Sequence, residues 1–153
     1  MAQFGFSWLG LGFLAMVTIP NLFWTRCQPE GYDPGGENRM LLVCERVGQV
    51  CVTAFVLLHR PPALVRSLRL LWLAAALTAM LLYEFWWLRY FRSMRQMADF
   101  YGSYAGVPVA GATLPVLGFL LLGIYIRAPL LIAAVLLLGI GHIGIHLEYL
   151  KNL

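Results

Sequence analysis

Two histidines four residues apart, His142 and His146, close an apolar run that reads Gly-Ile-Gly-His-Ile-Gly-Ile-His from Gly139. At helical spacing both imidazoles fall on one face, as they do in the H-E-x-x-H zinc motif. The glutamate that acts as base in that motif is missing here, because Ile143 follows the first histidine. Ionisable groups are expensive in hydrocarbon, so these two need partners from elsewhere in the chain. Glu45 and Glu84 each sit within another largely apolar stretch. With His142 they form the candidate acid–base set, since carboxylates beside a neutral imidazole in one pocket suit proton transfer. Asn21, Arg46, Gln49, Trp86, Arg89 and His146 are the candidate ligand-binding residues. His142, His146 and Glu84 make an alternative zinc set, two nitrogens and one oxygen with an open position. Nothing in the sequence requires a metal or any other cofactor. The plainer alternative puts His146 at headgroup depth and has His142 tie its helix to a neighbour.

The elements that must position these groups are membrane spans. Hydrophobic residues make up 61% of the 153-residue chain and charged ones 12%, against ~45–50% and ~25% in an average soluble domain. The formal net charge of +4 is spread thinly, with no basic tract or aromatic–basic weave, so nucleic acid is set aside as a partner. Cys27, Cys44 and Cys51 contain no C-x-x-C, and the spacing of the last two along one helix is too long for a bridge. That excludes a thiol-redox enzyme. The Gly139, Gly141, Gly144 pattern matches G-x-G-x-x-G. It lies inside an apolar helix rather than after a strand, so it is expected to let a second helix approach closely, not to bind a dinucleotide.

Five spanning helices in a single domain are predicted, over 4–24, 39–58, 70–88, 107–126 and 129–147, each close to the ~20 residues that a span needs. The stretch 25–38 is loop by its Pro, Gly and Asp content. The connector 59–69 is basic and broken by two prolines. Between the third and fourth spans, Tyr90 to Tyr104 is predicted to lie along the interface as an amphipathic segment. Tyr83, Trp86, Trp87 and Tyr90 are expected as an aromatic belt at the membrane surface.

Alternating directions then bring every awkward polar residue to one face. Asn21 ends the first span there, Glu45, Arg46 and Gln49 lie in the adjacent half of the second, Glu84 and Arg89 end the third, and His142 and His146 end the fifth. Glu30 and Glu148 belong to this face; Leu64 and Arg127 belong to the other. The opposite face carries Arg60, Arg66, Arg69 and Arg127 with no carboxylate, which points to it as the cytoplasmic one.

The motifs Ile19-Pro-Asn-Leu-Phe-Trp24, Gly36-Glu-Asn-Arg39, Glu45-Arg46-Val-Gly-Gln49, Tyr83-Glu84 and the closing His-x-x-x-His run resemble those of small multi-pass membrane proteins of bacteria. The resemblance covers most of the chain and brings no activity with it. The expectation is a multi-pass protein of the cell membrane whose polar pocket binds or turns over a small amphipathic molecule, such as a lipid, isoprenoid or sterol-like compound. The alternatives are a transporter or channel subunit and a non-catalytic membrane interaction protein. A homo-oligomer, with a pore between copies, is compatible with the same pattern.

Overall fold

Helix boundaries follow local capping chemistry. The computed structural model describes residues 3–61 and 68–153; Leu64 and Arg66 of the basic connector lie outside them. Helix α1 (Trp8–Trp24) starts where the Ser7 hydroxyl accepts from the Gly10 N–H at 3.0 Å. Helix α2 (Arg39–Leu58) starts where the Asn38 side chain accepts from the Met40 N–H at 2.9 Å. Helices α3 (Leu70–Arg92), α4 (Met97–Tyr101), α5 (Ala110–Ile126) and α6 (Pro129–Lys151) follow. Proline in the first turn of α6 loses no hydrogen bond, since that N–H has no helical partner.

Among these, α2, α3 and α6 are long and apolar enough to cross a membrane; α1 and α5, each 17 residues, are apolar but shorter. The outward faces are apolar as well as the inward ones: Val43, Val50, Leu81, Phe85, Leu136 and Ile140 are exposed. Helices that are apolar all round suit hydrocarbon rather than water.

The first helix is shorter than the predicted 4–24 because the chain before it is extended. Gln3–Phe4 (β1) pairs antiparallel with His59–Arg60 (β2), and the Gly5 and Ser7 amides donate to Leu58 and Leu57 carbonyls, each at 2.9 Å. This pairing is non-local and leaves no periodic signal in either segment. It fixes the start of α1 beside the end of α2.

The stretch from Tyr90 to Tyr104 also departs from expectation. Helix α3 runs one turn further, to Arg92, and α4 then turns inward, with Phe100 and Tyr101 buried. The segment packs as a plug at one end of the bundle, with Phe100 and Tyr101 inward and Arg92, Met94, Arg95 and Ser103 exposed. The predicted aromatic belt is core for the same reason: Tyr83, Trp86, Trp87 and Tyr90 are all buried against Phe100 and one another. The fourth predicted span begins at Ala110 rather than 107, after a bridge between Tyr104 and Val107.

The five long helices form a ring. Helix α2 packs on α6, α6 on α5 and α5 on α3, while α1 touches α2 on one side and α3 on the other. Cross-links join the helices at one end. Asn21 donates to the Tyr83 hydroxyl at 3.0 Å, Tyr90 donates to the Cys27 carbonyl at 2.7 Å, and Tyr149 donates to the Asp33 carbonyl at 2.7 Å. The ends of α1, α3 and α6 therefore share a face with the 25–38 loop.

Candidate functional site

The closest helix pair creates the central polar contact. A Cβ on Gly141 would collide with the backbone of α2 at Leu41 and Glu45, and one on Gly48 would collide with the α6 backbone at Leu138. With hydrogen atoms at these two positions, α2 and α6 touch backbone to backbone. That proximity sets the Glu45 carboxylate against the residue after Gly141. Glu45 Oε1 lies 2.6 Å from His142 Nδ1, with the two side chains only 13% and 25% exposed. It is the one contact within 4 Å between an acidic and a basic side chain among the described residues. An ionised carboxylate only accepts, so Nδ1 carries the shared proton and Nε2 is the ring nitrogen left for other partners.

His142 lines a cavity of about 520 Å³ inside the helix ring. All five long helices contribute, and most of the wall is apolar, with Leu14, Val52, Phe119 and Leu138 among its residues. Polar groups gather toward the end where α1, α3 and α6 terminate: Asn21, Gln49, Tyr83, His142 and His146. Lining residues on α1 and α2, among them Thr18, Asn21, Gln49 and Thr53, are exposed, whereas Trp86, Phe119 and His146 on the opposite wall are buried. The cavity thus opens sideways between α1 and α2. Four lining residues carry a buried polar atom without a hydrogen-bond partner: the indole N–H groups of Trp24, Trp86 and Trp87, and His146 Nδ1. All four atoms are closed off from solvent, so they sit behind the cavity surface and not on it.

Of the sequence-predicted residues, Glu45 and His142 meet, and Asn21, Gln49, Trp86 and His146 line the cavity beside them. Glu84, Arg46 and Arg89 do not join them. Glu84 is half-buried with one carboxylate oxygen lacking a partner, and it lies off the cavity wall. Its neighbour Tyr83 takes the inward position, and adjacent helical residues point ~100° apart. Arg46 is exposed on the outer side of α2. Arg89 donates to the Asp99 carbonyl at 2.7 Å and holds its guanidinium over the Tyr104 ring, 5.3 Å from the centroid. It braces the plug. No three His, Cys, Asp or Glu side chains are gathered in a metal-holding group among the described residues, so the zinc set of His142, His146 and Glu84 has no geometric support.

Sequence reasoning missed the cover over the histidines. His146 packs against Phe100 and Tyr101 of α4, with ring centroids 5.7 and 5.0 Å away, and Tyr101 stacks on Tyr149 at 4.7 Å. The aromatic density of 97–104 was the available signal. Outside the long helices, burial raises the Glu37 carboxyl above its usual range, with the Glu45 charge adding to it. Burial likewise pushes the Tyr32 hydroxyl up, assisted by the Glu37 charge.

Comparison with protein-family models, curated proteins and solved structures finds no match.

Proposed function

We propose that the chain is a multi-pass protein of the cell membrane with five crossing helices, and that it binds or turns over a small amphipathic molecule in the cavity enclosed by them. The observation that carries this reading is the cavity itself. Its volume of about 520 Å³ falls within the ~300–1,000 Å³ of small-molecule sites. Apolar walls lead to a polar end where Glu45 holds His142, and the opening faces sideways. A molecule entering from a bilayer would bring its tail against Leu14, Val52 and Phe119 and its head toward His142 and Gln49.

Five crossings are supported by the ring arrangement and by length. Helices α1 and α5, at 17 residues, would each reach about 26 Å at ~1.5 Å per residue, at the short end of the ~17–25 residues seen in spans. In this reading Glu45 orients His142 and keeps its Nε2 available as a hydrogen-bonding or basic group. A transport path would need polar residues continuing to the other face, and the deep wall of the cavity is apolar instead.

Extraction of purified protein tests the reading. Wild type and the cavity-filling variant Leu14→Trp are purified in parallel in lipid nanodiscs, and their organic extracts are compared by mass spectrometry. A molecule enriched with wild type and lost from the variant is the expected result. Identical extracts, with both proteins folded, would sink the proposal.

A further inference from the structure

The end of the bundle away from the polar cluster carries a surface of its own. The inference rests on the reading of the chain as a multi-pass membrane protein and does not depend on what the cavity holds. The ends of α1, α3 and α6 share a face with the 25–38 loop, so the starts of these three helices lie at the other end. The chain there has cations and no counter-charge. Arg60, Arg69 and Arg127 belong to it, while residues 1–29, 46–83 and 100–147 contain no Asp or Glu.

The β1–β2 ribbon gives this end two sides. Gln3 pairs with Arg60 and Phe4 with His59. Successive strand residues point to opposite faces, so Phe4 and Arg60 face opposite ways. The Arg60 stem lies over Gly5, with its Cβ and Cδ 3.9 and 4.0 Å from where a Gly5 side chain would begin. The ribbon is fixed to the bundle. The Gly5 and Ser7 amides bond to the end of α2, and a Cβ on Gly10 would collide with the Val56 backbone. Phe4 is nevertheless 82% exposed and Trp8 77%, with Phe6 exposed between them and its ring 4.9 Å from that of Trp8. Trp8 is the first residue of α1. In a crossing helix that position meets the boundary between acyl chains and headgroups, the depth that aromatic residues favour. Lipid is therefore the neighbour at hand, and the exposed Arg60 guanidinium is placed to meet phosphate. A zwitterionic head would bring its own cation to an end that holds arginines and no carboxylate. An anionic head brings none.

We propose that the β1–β2 ribbon is a docking surface for anionic phospholipid of the adjoining leaflet. Phe4, Phe6 and Trp8 rest at the acyl boundary and Arg60 takes the headgroup phosphate. Arg69 and Arg127 add positive field at the same end.

Brominated lipids test this through Trp8. The full chain is reconstituted in mixed phosphatidylglycerol and phosphatidylcholine at equal mole fraction, with bromine on the chains of one lipid or the other. The emission of Trp8 is taken as the difference from Trp8→Phe. The expected result is quenching about twofold or more stronger when phosphatidylglycerol carries the bromine. One cation at an anionic surface supports up to about fivefold local enrichment, the equivalent of ~1 kcal/mol. Arg60→Gln should make the two lipids equal, and Arg60→Lys should keep the preference. In wild type, ~1 M salt should erase it, since screening then acts within ~3 Å. Equal quenching by both lipids at low salt would overturn the headgroup assignment and leave the membrane reading standing. A preference that survives in Arg60→Gln would remove the ribbon as its source. No quenching by either lipid would place Trp8 away from the bilayer and refute the membrane placement of this end. The salt arm needs no arginine variant, so an Arg60→Gln protein that fails to assemble leaves the test intact.

Discussion

Glu45 Oε1 and His142 Nδ1 stand 2.6 Å apart across 97 residues of chain, held there by a glycine, Gly141, whose missing side chain lets two helices meet. The pair is a product of backbone contact, and its energetics can be separated from its surroundings.

A double-mutant cycle with Glu45→Gln and His142→Gln measures the pair directly. The coupling energy is expected at about 1.5–3 kcal/mol, the range for hydrogen bonds to charged groups. Thermal unfolding in detergent supplies the four stabilities. Glu84→Gln is the contrast: its buried carboxylate oxygen has no partner, so neutralising it should leave stability unchanged or raise it. Strictly additive losses at Glu45 and His142 would show that the contact stabilises nothing.

Gly141→Ala should lower stability by ~1–3 kcal/mol, the usual cost of overpacking, because the new methyl meets the α2 backbone rather than a movable side chain. The same change should separate Glu45 from His142. Gly12→Ala is the matched control, since nothing lies within 4 Å of its added Cβ. There the helix-propensity gain of up to ~1 kcal/mol is unopposed. Equal effects at the two glycines would mean that α2 and α6 are not in close contact.

Topology is open to labelling. With Cys27, Cys44 and Cys51 replaced by alanine, single cysteines at positions 30, 60, 127 and 148 are probed with an impermeant thiol reagent on intact cells. Positions 30 and 148 should label from one side, and 60 and 127 from the other. Labelling of 30 and 60 from the same side would end the five-crossing arrangement.

The loop that packs on Tyr149 should report pH. The Glu37 carboxyl is raised by burial and by the Glu45 charge, so its charged form is penalised in the folded state. The penalty is absent when the group is protonated in both states and grows as pH rises from the ordinary carboxylate value of ~4.3 through the raised one. Glu37→Gln should therefore melt slightly higher than wild type at pH 8 and match it at pH 4. A gain that is larger at pH 4 would contradict the sign.

How much of this was legible beforehand differs by element. The starts of α2 and α6 were, because Asn38 and Pro129 are local signals that need no tertiary partner. The start of α1 was not, because the extended lead-in depends on His59–Arg60, far along the chain. For the site, the need of His142 for a carboxylate partner followed from the cost of burying it, and Glu45 was one of two candidates. Choosing between Glu45 and Glu84 required helix rotation, which Tyr83 decides by taking the inward place and meeting Asn21. The inward turn of Phe100 and Tyr101 depends on the His146 face of α6, so aromatic content alone read as an interfacial strip.

The order of helices in space also governs biogenesis. Helix α2 finds its main neighbour in α6, and α3 finds its own in α5, so the two largest helix contacts both join elements far apart in the chain. During synthesis Glu45 is made well before His142 exists to meet it. The nascent chain therefore carries an acid without its partner until the last helix is made, and the ring closes around the cavity only when α6 arrives. A chain cut short after Arg127 lacks both His142 and the helix against which α2 packs, so Glu45 is left without its partner.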